Sequence, residues 1–137
     1  MGRFFVYLVS GLFLLTGSAL AELCDEPKTQ ADMNYCAKYG FEHADGELND
    51  VYGRLKETYA KYPSSKAALV KSQRAWLAFR DAECKQDEAA ADGGSDTALI
   101  VLHCKARVTT ARTNQLQDRL LCKEGDMSCV TSGDAAD

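Results

Sequence analysis

The chain has 137 residues, of which 46% are hydrophobic and 26% charged, and this balance excludes both a disordered charged polymer and a protein with many membrane spans. Its 16 Lys and Arg residues against 20 Asp and Glu residues give a net charge of -4, so there is no basic excess with which to bind nucleic acid. Only 2 Pro residues, and no long alternating run of β-branched residues, argue against a β-sandwich.

Residues 1–21 have the pattern of a signal peptide. Arg3 precedes an apolar stretch from Phe4 to Leu15, and small residues end the segment at Ala19-Leu20-Ala21. We therefore predict cleavage after Ala21 and a periplasmic or secreted protein. An uncleaved anchor is the alternative, because the apolar segment reaches about the minimum length of a membrane span, but polar and Gly residues dilute it.

The mature chain is expected to have no stable membrane anchor. A lipid on Cys24 is disfavoured, since Leu23 stands where a lipid-attachment site needs a small residue. Residues 22–122 are predicted to form one helical domain. Residues 123–137 are mostly polar and small, so this segment is predicted to be a flexible tail.

An even number of Cys residues in an exported chain indicates disulfides. The six are Cys24, Cys36, Cys84, Cys104, Cys122 and Cys129. A metal site is disfavoured because the chain has no C-x-x-C and because His43 and His103 have no zinc-finger spacing, so we expect neither metal nor cofactor. A thiol oxidoreductase would require a reactive Cys pair, and no reactive thiol remains if all six Cys residues form structural disulfides.

The first predicted helix begins after Pro27, with Thr29 as its cap and Asp32 as the acidic partner of a capping box. Apolar residues then recur at steps of three or four, which is the period of an amphipathic helix. They are Met33, Ala37, Phe41, Ala44, Leu48, Tyr52, Leu55 and Tyr59. The segment Tyr62-Pro63-Ser64-Ser65 is expected to end this helix and to cap the next.

The second predicted helix starts at Lys66, and a third covers residues 97–121. Between them, Asp92-Gly93-Gly94-Ser95-Asp96 marks a break in which a Gly ends one helix and Ser95 or Asp96 caps the next. The expected inward residues of the second helix are Leu69, Gln73, Trp76, Leu77, Arg80 and Cys84. Those of the third are Ile100, Val101, Cys104, Val108, Ala111, Leu116 and Leu120.

Short breaks favour antiparallel neighbours, so the sequence predicts an all-α fold, an up-down-up three-helix bundle stapled by disulfides. Cys84 and Cys104 lie at equal distances from the break, and we expect them to pair. Cys24 would then pair with Cys36, and Cys122 with Cys129. Pairing of Cys36 with Cys84 is a rival assignment, because both would lie near one end of the bundle.

Several blocks of sequence occur in a characteristic order. They are T-Q-A-D-M-N-x-C from Thr29, A-D-x-E-L-N-x-V-Y from Ala44, Q-R-A-W-L-A-F-R-D-A-E-C from Gln73, G-G-S from Gly93, and T-x-x-R-x-x-x-L from Thr109. In these blocks the chain resembles the LprI-type lysozyme-inhibitor domain family of exported bacterial proteins. The resemblance covers roughly Cys24 to Leu120, nearly the whole predicted mature chain.

The resemblance implies a helical domain of the bacterial envelope that binds and inhibits lysozyme, a protein partner. We expect no catalytic residues, because the sequence has no nucleophile-elbow or metalloprotease motif and no carboxylate pair that its spacing marks out. The alternative is a non-inhibitory envelope protein with a structural or stress-related role.

Two groups of residues are candidates for special roles. The first is a set of structural core residues that join the helices through packing and hydrogen bonds: Trp76, Arg80, Gln73, Asn49 and Arg112. The second is an acidic binding set around the Gly-containing break: Asp87, Glu88, Asp92, Ser95 and Asp96. Animal lysozymes are generally basic, so an acidic loop would be attracted to them.

Overall fold

The computed structural model describes residues 23–122, which form three long α-helices. Helix α1 covers Gln30–Thr58, α2 covers Pro63–Ala90 and α3 covers Thr97–Leu120. Residues 23–25 are also helical, and a 3-10 turn, Tyr59–Lys61, follows α1. Within residues 23–122 there is no strand, and the predicted all-α fold is confirmed. The predicted signal peptide and the predicted tail lie outside the described residues.

Helix α1 begins with the predicted capping box. The backbone N–H of Asp32 donates to Thr29 Oγ1 at 3.1 Å, and the backbone N–H of Thr29 donates to Asp32 Oδ2 at 2.9 Å. These two bonds satisfy donors that the first helical turn leaves without partners. The interaction with the Thr29 side chain, aided by the backbone N–H groups of Thr29 and Lys28, holds the pKa of the Asp32 carboxyl below its usual value.

Helix α2 begins earlier than predicted. Pro63 is in its first turn and Tyr62 is the N-cap residue, whose side chain makes no capping bond. Proline is well suited to this position, because its fixed φ is helical and the N–H that it lacks would have had no partner there. The expected Ser cap is therefore wrong, since Ser64 and Ser65 are already inside the helix.

The three helices alternate in direction, and α3 packs against both α1 and α2. One hydrophobic cluster consists of Leu48, Val51, Leu55, Tyr59, Leu69 and Leu116. A second, nearer the α2–α3 connection, consists of Cys84, Cys104 and Val108, and Trp76 packs against both clusters. Among the described residues, no helix is long and apolar enough to cross a lipid bilayer.

Two disulfides are described. Cys24 pairs with Cys36 and ties the N-terminal segment to α1, whereas Cys84 pairs with Cys104 and joins α2 to α3. The rival pairing of Cys36 with Cys84 is not formed. Cys122 is also disulfide-bonded, and its predicted partner, Cys129, lies outside the described residues.

The buried faces of the helices differ from the predicted ones at a few positions. Leu77 and Ala111 are exposed, because each lies at the edge of its helix stripe. Val51, Thr109 and Thr113 are buried although their positions were not predicted to be. The two Thr residues fit because small side chains let α1 and α3 approach each other, and the Thr113 hydroxyl donates to the backbone oxygen of Thr109 at 3.1 Å.

Candidate functional site

The connection between α2 and α3 is a tight turn, and the Gly residues in its sequence favour such a turn. Asp92 and Gly93 have φ values of 49° and 72°, both in the left-handed region, and the backbone N–H of Gly94 donates to the oxygen of Ala91 at 3.1 Å. Glycine accepts this conformation at no steric cost. The turn thus reverses the chain within a few residues and places their side chains at the tip of the bundle.

The predicted side-chain cap of α3 is not formed. Asp96 is the N-cap residue, but its φ and ψ are helical and its side chain makes no capping bond. Its carboxylate instead lies close to Gly94, where a Cβ would stand 2.7 Å from Asp96 Oδ1. The Asp96 carboxylate is consequently left exposed at the tip.

The turn brings the predicted acidic residues together. Asp92, Ser95 and Asp96 lie in the turn and are exposed, and Glu88 is exposed on the last turns of α2. Asp87 differs from them because it is only partly exposed. The neighbouring Asp81 does not belong to this group, since it forms ion pairs with Arg80 at 3.3 Å and Lys105 at 3.7 Å.

Further carboxylates stand at the same end of the bundle. Because the helices alternate in direction, the start of α1 lies beside the end of α2 and the start of α3. In residues 23–32 and 85–96, which form this acidic end, the carboxylates are Asp25, Glu26, Asp32, Asp87, Glu88, Asp92 and Asp96, and the basic side chains are Lys28 and Lys85. The acidic end is therefore strongly negative.

The opposite, basic end carries the reverse charge. In residues 56–71 and 112–122, which form the described part of this end, the basic side chains are Lys56, Lys61, Lys66, Lys71, Arg112 and Arg119, and the acids are Glu57 and Asp118. The net charge of -4 conceals this separation, because the two ends largely cancel in the sum. An electric dipole along the bundle would orient a charged partner as it approaches.

The Arg80 side chain lies at the centre of the bundle between two aromatic rings. Its guanidinium carbon is 5.3 Å from the centroid of Phe41 and 5.3 Å from that of Trp76. Nη1 donates to Asp45 Oδ1 at 3.0 Å and to Thr109 Oγ1 at 3.5 Å, so this one residue contacts all three helices. Aromatic stacking and ion pairing together explain how a charged group that is only 8% exposed is accommodated.

A second guanidinium lies against Trp76. Arg112 Cζ is 5.9 Å from the Trp76 ring centroid, and its Nε donates to Gln73 Oε1 at 3.0 Å. Gln73 is buried, so this bond satisfies a polar group inside the bundle. Trp76, Gln73 and Arg112 thus join α2 to α3.

Asn49 does not belong to this core set. It is exposed, and its side-chain amide donates to Asp45 Oδ2 at 3.1 Å. The predicted inward position is wrong because Asn49 follows the fully buried Leu48 and a helix turns by about 100° per residue. The carboxylate that faces the core from α1 is Asp45, which was not predicted there, although its spacing from Phe41 and Leu48 is that of one helix face.

The two His residues are exposed and lie on different helices. His43 lies 3.8 Å from Glu47 in the next turn of α1, and His103 is on α3. Across residues 23–122, no group of three or more His, Cys, Asp or Glu residues has the arrangement needed to hold a metal ion.

These features define a small disulfide-bonded helical domain with oppositely charged ends. A family model described as "Lysozyme inhibitor LprI" matches residues 24–116, and the chain belongs to this family. It is also similar to an uncharacterized protein of Rhizobium meliloti (strain 1021), with 34% identity over 106 residues that cover 69% of this chain and 76% of the relative. No solved structure shows significant similarity to the chain.

Proposed function

We propose that this chain is an exported protein that binds lysozyme and inhibits it by occupying a surface, with no reaction of its own. The observation that carries the proposal is the family match, which spans α1, α2 and most of α3. The family description names lysozyme inhibitors, so the protein partner of this chain is inferred to be lysozyme or a related muramidase.

The oxidised Cys residues support export. Two bridges are formed in the described part of the chain, Cys122 is bonded as well, and no free Cys is found there. Disulfides persist in the periplasm and outside the cell, whereas the cytosol keeps thiols reduced. We accordingly propose that the protein acts in the periplasm or the medium, after removal of residues 1–21.

The acidic end is the inferred contact surface. Animal lysozymes are generally basic, and their cleft must accept a narrow chain of sugars. The turn from Asp92 to Asp96 is narrow, exposed and negative, so its shape and charge both suit such a cleft. Asp87 and Glu88 would extend the same negative field along α2.

A lysozyme digest tests the inhibition directly. The oxidised mature chain is mixed with a basic animal lysozyme at rising molar ratio, and the turbidity of a bacterial cell-wall suspension is followed. Inhibition that is complete near stoichiometric ratio supports the proposal. Full digestion at large excess contradicts it and favours a non-inhibitory role in the envelope. The same chain after reduction and alkylation is the control for non-specific effects.

A further inference from the structure

A cleft at the basic end contains two Arg side chains that form no ion pair with a carboxylate of the described residues. It lies between α2 and α3, has a volume of about 260 Å³, and is lined on its polar side by Arg112, Arg119, Ser65 and Ser72. Within residues 23–122 no Asp or Glu forms an ion pair with either Arg. Two positive groups therefore share one concave surface, and the part of the chain that the structure describes supplies no counter-charge to them.

Among the described residues, Arg112 is bonded only to neutral acceptors. Its Nε donates to Gln73 Oε1 at 3.0 Å, Nη1 to Gln115 Oε1 at 3.3 Å and Nη2 to Ser72 Oγ at 3.3 Å. A guanidinium has five N–H donors, so two of them have no acceptor within the described chain. Partial burial lowers the pKa of Arg112 from its usual value, and the charge of Arg119 lowers that pKa further. An anion between the two groups would remove this repulsion.

The other side of the cleft is apolar. Tyr59, Leu69 and Leu116 line it, and all three belong to the larger hydrophobic cluster. A liquid water occupies about 30 Å³, so the cleft has room for roughly nine waters or for a molecule with a few carbon atoms. This is slightly below the usual size of drug-sized ligand pockets, about 300–1,000 Å³. The space suits a small anion with a short hydrocarbon part.

We propose that this cleft binds a small organic carboxylate, with its carboxylate oxygens held between Arg112 and Arg119 and its hydrocarbon part against Ala68 and the edge of Leu69. The planar guanidinium matches the two oxygens of a carboxylate, and such charge-assisted bonds are about twice as strong as neutral ones. Ser65 and Ser72 add hydroxyl groups at the rim. The site is separate from the acidic end and does not depend on the proposed inhibition of lysozyme.

The test is a titration of the full oxidised mature chain with sodium butyrate at constant ionic strength, followed by the fluorescence of Trp76 and the NMR signal of Arg112 Nε–H. Trp76 is the single Trp in the chain and lies next to Arg112, so it reports on this site. We expect saturation with a Kd on the order of 1 mM. Acetate, whose hydrocarbon part is a single methyl group, and inorganic phosphate, which has none, are expected to bind about 10-fold more weakly or worse.

Three variants complete the test. Arg119→Gln should weaken butyrate binding about 10-fold, because it removes one charged partner at an exposed position. Arg74→Gln is the matched control, since Arg74 is exposed on α2 away from the cleft, and its affinity should equal that of the unmodified chain. Ala68→Leu keeps both charges but fills the cleft, and it should abolish binding.

Each part of the proposal is contradicted by a different result of the titrations. A response that does not saturate, or that is equal in Arg119→Gln and Arg74→Gln, overturns the site. Phosphate that binds as tightly as butyrate overturns the assignment to an organic carboxylate. These titrations contain no lysozyme, so their failure and the failure of the digest are independent results.

Discussion

Arg80 on α2 donates a 3.0 Å hydrogen bond from Nη1 to Oδ1 of Asp45 on α1, and the two residues form an ion pair across the helix interface. The side chain of Arg80 is 10% exposed and that of Asp45 is 37% exposed, so the cation is much the more deeply buried partner. Removing Asp45 leaves a buried charge with weaker compensation, whereas removing Arg80 also deletes the packing between Phe41 and Trp76.

Arg80→Ala should therefore destabilise the domain more than Asp45→Ala. We expect losses of about 3 kcal/mol for Arg80→Ala and about 1–2 kcal/mol for Asp45→Ala in the free energy of unfolding. Urea denaturation followed by circular dichroism measures both. Glu42→Ala is the control, because the pair of Lys38 and Glu42 is exposed and should contribute less than about 0.5 kcal/mol. Equal losses for all three variants would show that the buried pair has no special role.

The two described disulfides should differ in their effect on stability. Their sequence separations are 20 for Cys84–Cys104 and 12 for Cys24–Cys36, so the loop-entropy contributions are similar, about 3 kcal/mol each. Cys84 and Cys104 are also buried in the core, at 0% and 3% exposed. Replacing both by Ala loses this packing as well, whereas Cys24 lies in a segment outside the core.

We accordingly predict that the C84A/C104A double variant loses about 3–5 kcal/mol of unfolding free energy and that C24A/C36A loses about 1–3 kcal/mol. Thermal and urea unfolding of the two double variants measures the difference. A larger loss from C24A/C36A would mean that the N-terminal segment, and not the α2–α3 junction, limits the stability of the bundle.

Much of this architecture follows from local sequence signals. Thr29 and Asp32 mark the start of α1, and the Gly-containing break separates α2 from α3, because both features use residue types with specific backbone roles. The equal distances of Cys84 and Cys104 from that break predicted their pairing, since antiparallel helices of equal rise bring them to the same level.

Periodicity alone does not predict the details of the polar core. It placed Asn49 inward, whereas the inward polar residue on α1 is Asp45, one turn earlier. Asp45 could be recognised in the sequence because it has the spacing of the apolar residues of α1. Its partner, Arg80, lies 35 positions away in sequence. The partner depends on how two helices are aligned, and that alignment is set by tertiary packing.

The capping box predicts a particular response to acid. Because the folded-state pKa of Asp32 is lowered, its contribution to stability is complete above the ordinary Asp pKa of about 4 and is lost as the pH falls through the lower folded value. Asp32→Asn should therefore reduce stability at pH 7 and change it little near pH 2. Unfolding curves at both pH values measure this, with Asp118→Asn as an exposed control. An equal reduction at both values would contradict the capping role of the carboxylate.

Two Gly residues should respond oppositely to replacement by Ala. Gly46 lies within α1, and a Cβ built there has no heavy atom within 4 Å, so Gly46→Ala should stabilise the domain by about 0.5–1 kcal/mol. Gly93 has a φ of 72°, and Gly93→Ala should destabilise it by about 1–2 kcal/mol. Thermal denaturation measures both shifts. Stabilisation by Gly93→Ala would show that the turn adopts another conformation in solution.

The proposed lysozyme contact is tested with two variants that lose the same number of negative charges on different faces of the bundle. One variant combines Glu88→Gln, Asp92→Asn and Asp96→Asn at the acidic end. Its matched control combines Glu42→Gln, Glu47→Gln and Asp50→Asn, which line an open groove between α1 and α3 and already have Lys38, His43 and Arg54 as neighbours. Both variants change the net charge by the same amount, so a general effect of charge affects them equally.

We expect the acidic-end variant to associate with lysozyme at least about 10-fold more slowly at low salt, while the control changes little. The difference should shrink as salt is raised toward 0.5 M, because the Debye length falls from about 10 Å at 0.1 M to about 3 Å at 1 M. Surface plasmon resonance at several salt concentrations measures the association rates. If the groove variant is the slower one, the contact lies between α1 and α3. If both variants retain full association and inhibition, the acidic end has no part in binding, and the inhibitory surface must be sought among the uncharged or basic faces of the bundle.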